Sequence, residues 1–353
     1  MKRKGLVLII VLILCLVVAG CSQGTPSNQP SQPTQEQEKE QEKEAIKFPT
    51  QAVTIVVGAT PGGGFDLQAR MFANFWSKYL DPKYAFAVSN VDGGGGIVAA
   101  NQVWVAKPDG HTIKQIKAGP YLQEQLLNPD VVRYDMLKWK YIGQYTVDNN
   151  ALIARKKVAE NIKSWGDFTS YADPLTFSAA GVGSQSHNKA LAVAIAADLK
   201  MRFIQYPGNP EMFAGMMRAE GDFTVYSIAS SKDLDPEEFT ILCVLTDERS
   251  KILPDVPSAL EFGMPKAMLD GVVNNPAFTT PRAYAVPPDT PDEVVQLLID
   301  SFMAVCADPE FQQQMEDAGV ELVVMDGHAF TEKVKQMKPI LEAFVPLLEE
   351  QKK

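Results

Sequence analysis

Residues 53–66 read Val-Thr-Ile-Val-Val-Gly-Ala-Thr-Pro-Gly-Gly-Gly-Phe-Asp, a run that few folds accept. Val53 to Gly58 is short, apolar and β-branched, the pattern of a buried strand. Pro61 and three glycines break it, and a helical pattern follows, with Leu67, Met71, Phe72, Phe75, Trp76 and Tyr79 spaced to share one face. Tyr84 to Ser89 is a second strand, succeeded by the glycine turn Gly93 to Gly96 and an Ala-rich helix. Strand, glycine turn and helix, repeated, predict an α/β fold with parallel strands.

The pattern continues along the chain. Tyr141 to Tyr145, Ala151 to Ala154, Leu175 to Ser178, Phe223 to Ile228 and Thr240 to Leu245 read as strands, and Ala190 to Leu199 as an apolar helix. Arg282 to Val286 reads as a strand returning to the first part of the fold. The tail carries helix signals: Thr290-Pro291-Asp292-Glu293 as a capping box, Asp308-Pro309 as a second start, Gly319 as a stop, and Phe330 to Leu348 as a final amphipathic helix. About 300 globular residues from Phe48 suggest two lobes by length.

The beginning is different. Lys2, Arg3 and Lys4 precede an apolar run from Leu6 to Ala19, shorter than the ~20 residues of a membrane-spanning helix and typical of an export signal. It ends in Val18-Ala19-Gly20-Cys21, which resembles a bacterial lipobox and predicts cleavage after residue 20 with a lipid on Cys21. Residues 21–47 then form a tether too poor in apolar side chains to fold. Cleavage would take the net charge from −10 to −13. So acidic a chain excludes a nucleic-acid binder, whose phosphate contacts need clustered cations. Cys243 and Cys306 lie far apart, His111, His187 and His328 are scattered, and no spacing suits a metal. No cofactor is expected.

Two segments carry candidate chemistry. Thr60 to Asp66 sets glycines between strand and helix, where exposed N–H groups and the helix start favour an anion; a plain tight turn is the competing reading. The spacing does not fit the dinucleotide pattern G-x-G-x-x-G. Gly181-Val182-Gly183-Ser184-Gln185-Ser186-His187 is a second cradle, with Ser186 as a possible N-cap. Ser184 and His187 invite a hydrolase reading, but His187 has no evident acidic orienter. Neither segment contains Lys or Arg, so an anion there is expected to rest on backbone N–H groups and hydroxyls. Asp66 precedes Arg70 by four residues and can pair with it; its alternative role is a counter-charge for a ligand amine.

The segments VTIVVGATPGGGFDLQAR (53–70), VDGGGGIVAAN (91–101), KPDGHTI (107–113), SAAGVGSQSH (178–187), YPGNPEMFAGMMRAEGDFTVYSI (206–228), RSKILPDVPSALEFGMP (249–265) and PPDTPDEVVQLL (287–298) resemble, in order, motifs of the tripartite tricarboxylate transporter receptors of the TctC/Bug type. The resemblance implies a two-lobed periplasmic-binding-protein-like (type II) fold, each lobe a mostly parallel sheet flanked by helices. Residues 48–148 and 280–353 would form lobe 1, residues 149–279 lobe 2, with the ligand cleft between them. By position, the ligand-binding residues would be Thr60, Gly62, Gly63, Gly64, Phe65 and Asp66 from lobe 1, and Gly181, Val182, Gly183, Ser184, His187 and Ser227 from lobe 2. The implied function is capture of a small carboxylate without catalysis, by a monomer anchored outside the cytoplasm on the bacterial membrane. The implied partners are a large and a small integral membrane subunit. Asp92-Gly93 and His111 depart from the family pattern near the cleft, which leaves the ligand's identity open. A sensory receptor for a signalling partner is an alternative of the same architecture.

A carboxylate ligand is expected to raise the melting temperature by mass action. Gly63→Val is expected to remove that rise in a thermal-shift assay while the free protein melts as before.

Overall fold

The computed structural model describes residues 46–181, 184–273 and 275–350. In chain order, β1 (Val53–Val57), α1 (Gly64–Leu80), β2 (Phe86–Asn90), α2 (Ile97–Trp104), β3 (Thr112–Lys117), α3 (Ala118–Leu127) and β4 (Lys140–Asp148) come first. The chain then runs through β5 (Asn150–Arg155), α4 (Lys156–Ala159), α5 (Trp165–Ser170), β6 (Leu175–Ala179), α6 (Gln185–Ala196), β7 (Met201–Gln205), α7 (Asn209–Met217), β8 (Phe223–Ser227), α8 (Ile228–Ser231) and β9 (Phe239–Val244). It returns by α9 (Lys266–Met268) to β10 (Thr280–Val286), and closes with α10 (Asp292–Ala307), α11 (Pro309–Asp317), β11 (Leu322–Asp326) and α12 (Gly327–Glu350).

The strands form two sheets, ordered β11-β4-β10-β3-β1-β2 and β7-β6-β8-β5-β9. β1, β2 and β3 pair in parallel, as do β6, β7 and β8. The crossing strands pair antiparallel: β10 lies between β3 and β4, and β5 between β8 and β9. The architecture is therefore the expected two-sheet α/β fold, but each sheet is mixed rather than mostly parallel, because the crossing strands and the edge strand β11 pair antiparallel. The order β2-β1-β3-β10-β4 is matched position for position by β7-β6-β8-β5-β9.

Each sheet is buried on both faces, as strands of near-continuous apolar sequence require. Val53, Ile55 and Val57 pack with α1, α10 and α11 around Phe72, Trp76, Phe302 and Phe311. Val56 faces the other layer, where α2, α3 and α12 bring Val103, Leu122 and Leu341. Cys243 and Cys306 are buried free thiols in different core clusters. Among the described residues no helix is long and apolar enough to cross a membrane, and no group of His, Cys, Asp and Glu could hold a metal ion.

Local departures have physical causes. The buried stripe of α1 is Phe65, Ala69, Phe72 and Trp76, and Leu67 is 47% exposed rather than inward. Because the helix starts at Gly64 with Phe65 inward, Leu67 lies about 200° further round. Thr290 does not cap α10; it is fully buried, and its hydroxyl donates to the Pro287 carbonyl at 2.8 Å. Asp308 does cap α11, accepting from the N–H groups of Glu310 and Phe311. β3, β7 and β11 are strands that the sequence pattern hides.

Close backbone approaches set the loop geometry. A Cβ on Gly58 would lie 2.6 Å from the Gly96 Cα, so the loops after β1 and β2 touch back to back. Gly96 has φ +103° and receives the Tyr121 hydroxyl on its carbonyl at 3.2 Å. In β4, a side chain on Gly143 would strike the Phe302 ring. Gly143→Val is expected to cost about 1–3 kcal/mol by overpacking, measured by chemical denaturation.

Candidate functional site

In an open α/β sheet, ligands sit at the carboxyl ends of strands where the order reverses. The first sheet reverses at β1, whose neighbours are β2 and β3; the second reverses at β6, between β7 and β8. The loops leaving β1 and β6 are the two glycine segments singled out in the sequence.

The first loop is held by Asp66. Its carboxylate accepts from the Gly62 N–H at 2.8 Å, from Arg70 Nε at 2.9 Å and from Asn90 Nδ2 at 2.9 Å. Asn90 Nδ2 also donates to the Ala59 carbonyl at 3.0 Å, so both ends of the turn are tied down. Gly62 has φ +82°, which favours glycine. Burial pushes the Asp66 carboxyl up, but the bonds from Arg70, Gly62 and Asn90 outweigh it and leave the group below its ordinary value. Thr60, Gly63 and Gly64 are exposed. Among the described residues nothing accepts from the N–H groups of Gly63 and Gly64, the open donors of a helix start.

The second loop enters α6. Ser184, not Ser186, is the N-cap: its hydroxyl accepts from the His187 N–H at 3.3 Å. Ser186 instead accepts from the Ala180 N–H at 3.2 Å. Gly181 precedes the cap at φ +94°, and Val182 and Gly183 lie outside the described residues. The His187 ring is fully buried, edge-on to Phe203 with centroids 4.6 Å apart. Burial depresses its pKa to about 4. Ser227 ends β8 and donates to Asp148 Oδ1 at 2.6 Å.

Between the sheets the structure adds groups that the glycine segments do not contain. Asp148 ends β4, and its second oxygen accepts from Arg282 Nη2 at 2.6 Å. Arg282 Nη1 donates to Gln68 Oε1 at 2.8 Å, and Tyr145 donates to the same oxygen at 2.9 Å. Gln115 completes the network, donating to Tyr145 at 2.8 Å and to the Phe65 carbonyl at 3.0 Å. The Phe65 ring lies 4.7 Å from Lys117 Nζ and 5.6 Å from the Arg282 guanidinium carbon.

Two cavities flank the Arg282–Asp148 pair. One, of about 390 Å³, is lined by Gly94, Gly95 and Lys117 from the first sheet's loops and by Ala180, Ser184 and Gln185 from the second's. The other, of about 410 Å³, has Asp247, Glu248 and Glu321 in its wall, with Arg249 as its further cation. That excess of carboxylates disfavours an anion, whereas the first chamber sets Lys117 and Arg282 against Asp148 and Glu124. No signal in the sequence marks Lys117, because the strand it ends, β3, does not show in the sequence pattern.

A family model described as the tripartite tricarboxylate transporter family receptor matches residues 69–345. The chain belongs to this receptor family. A relative from Cupriavidus necator, the UPF0065 protein in gbd 5'region, is 25% identical over 307 residues, 84% of this chain and 89% of the relative. A TctC solute binding protein from Polaromonas superposes with a TM-score of 0.69 at 19% identity, covering 85% of this chain and 99% of that one. MatC from Rhodopseudomonas palustris, solved with bound malate, gives 0.64 at 23% identity over 84% of this chain and 100% of its own. A second protein of that organism, solved with adipate, gives 0.68 at 23% identity over 86% and 98%. At these identities the likeness is one of fold. The tripartite tricarboxylate transporter receptors are extracytoplasmic solute-binding proteins rather than enzymes, which sets aside the hydrolase reading of Ser184 and His187.

Asp66→Ala is expected to lower unfolding free energy by about 1–3 kcal/mol at neutral pH, since it strands three donors. The Asp66 carboxyl is depressed in the folded state, so its contribution is present above the ordinary carboxylate range and lost as pH falls through and below it. Urea titrations across that range are expected to show the two proteins converge in acid.

Proposed function

We propose that this receptor captures a small organic acid carrying one or more carboxylates in the chamber between its sheets and hands it to the large and small membrane subunits of a tripartite transporter. The observation that carries the reading is the meeting, at one chamber of about 390 Å³, of the segments that follow β2 and β3 in the first sheet with the loop that follows β6 at the second sheet's reversal point. Small-molecule sites range over ~300–1,000 Å³, so a compact acid fits. The family supports transport, and malate and adipate in two structural relatives support the acid class.

In this reading residues 48–148 with 280–353 form one lobe and 149–279 the other, and the lobes close on the solute. On closure the open N–H groups of Gly63 and Gly64, together with Gly181 and the Ser184 hydroxyl, contribute donors. Thr60 borders the glycine loop, and Phe65 underlies Lys117 and Arg282 in the chamber wall. Asp66 braces the loop, Ser227 ties Asp148 across the sheets, and His187 supports α6 from behind rather than touching the solute. Lipidation at Cys21 and the tether to residue 47 hold the receptor at the membrane, where a monomer suffices.

The test is native mass spectrometry of the purified protein with malate, adipate, citrate, an aromatic acid and an acidic amino acid. At least one acid is expected to give a one-to-one adduct and a smaller radius of gyration by X-ray scattering. No adduct with any of them would sink the reading.

A further inference from the structure

Lys117 is the last residue of β3, at the carboxyl end of a strand beside the first sheet's reversal point. The other charged groups near it are occupied. Arg282, on β10, is committed to Asp148 and Gln68. Glu124, on α3, accepts from Asn128 Nδ2 at 2.6 Å, and Asp92, in the loop after β2, accepts from the Gly93 N–H at 2.8 Å. Lys114, three residues earlier on β3, is fully buried and donates to the Val56 and Gln115 carbonyls. Among the described residues the Lys117 ammonium has neither a hydrogen bond nor an ion pair; its contact is the face of Phe65. A half-buried ammonium in the wall of a chamber, with no carboxylate paired to it, is a strong and selective donor site for an anion.

We infer that Lys117 is the anion anchor of the chamber: its ammonium takes one carboxylate of the solute beneath Gly94 and Gly95, and so selects acids over their amides. Phe65 holds Lys117 and Arg282 over one ring, which fixes the ammonium's position while Asp148 neutralises the guanidinium. The glycine loops then grip the remainder of the solute. The inference rests on the chamber's being the solute site.

A second property follows from the same placement. Burial, with Arg282 adding to it, lowers Lys117 to about 8, against the opposing pull of Asp148 and Asp92. The competent, charged form therefore drains away above that pH. An anchor in this state makes apparent affinity fall with its charged fraction, by about tenfold from pH 7 to pH 9.

The experiment is isothermal titration calorimetry of the full chain with malate, adipate and the monoamide of adipate, at pH 7 and pH 9. At pH 7, Lys117→Met is expected to weaken binding of the best acid by about 10- to 100-fold, the loss of one charge-assisted contact. Lys117→Arg is expected to keep affinity within about fivefold and to flatten the pH profile, because guanidinium stays charged. Any slope left in that variant belongs to other groups, such as the buried Lys189 at about 7. Wild-type binding that Lys117→Met leaves within twofold, with the same pH profile, overturns the anchor alone. No heat from the wild type with any of these acids at either pH overturns the solute reading and the anchor with it. The wild-type profile needs no variant, so a Lys117→Met protein that fails to fold does not protect the inference.

Discussion

The Asp148 carboxylate lies where the chain first leaves one sheet for the other, and it is bonded from both sides. Arg282 donates to one oxygen from β10, and Ser227 donates to the other from β8 in the second sheet. Such a pair is worth little against an apolar replacement, but removing one partner leaves the other buried and uncompensated. Through Arg282 the constraint runs to Gln68, Tyr145 and Gln115, and from there to the Phe65 carbonyl at the start of α1. The glycine loop after β1 and the crossing that joins the sheets are thus one connected polar framework. A shift at either end must be accommodated by a small number of named bonds.

Much of this was legible in the amino-acid sequence because the physics was local. β1 and its glycine break, the Asp66–Arg70 spacing, the Asp308-Pro309 helix start and the return strand at Arg282 each depend on a few neighbouring residues. β3 was not legible. Its run Thr-Ile-Lys-Gln-Ile-Lys looks half solvent-facing, yet Lys114 and Gln115 are fully buried. Lys114 is tolerable there because two carbonyls receive its ammonium and the Tyr121 ring lies 5.5 Å away, while burial drives its pKa well below the ordinary value. β7 and β11 escaped notice for the opposite reason: they are sheet edges with few fully buried side chains.

The same locality explains what was missed at the site. Lys117, Asp148 and Arg282 come from three strands distant in sequence, and only the order β4-β10-β3 makes them neighbours. Read within the glycine segments alone, the ligand's charge had no cation to meet, and peptide N–H groups were the available answer. Topology supplied the cations. Ser184 and His187 show the converse, a suggestive pair in sequence to which the fold gives structural tasks, with the hydroxyl capping α6 and the ring buried against Phe203.

The back-to-back contact of Gly58 with Gly96 divides the glycines of the cleft into two kinds. At those two positions any side chain would wedge apart the turns after β1 and β2, so both turns travel as a single piece. A Cβ on Gly64, by contrast, would meet open space and one on Gly63 only the Thr60 carbonyl at an ordinary 3.8 Å, and Gly63 has φ −74°, which any residue adopts. A side chain added there would therefore change the surface of the loop after β1 and leave the scaffold untouched. Variation is thus tolerated at two adjacent residues of the loop and barred at the pair of glycines that lock its neighbour to it.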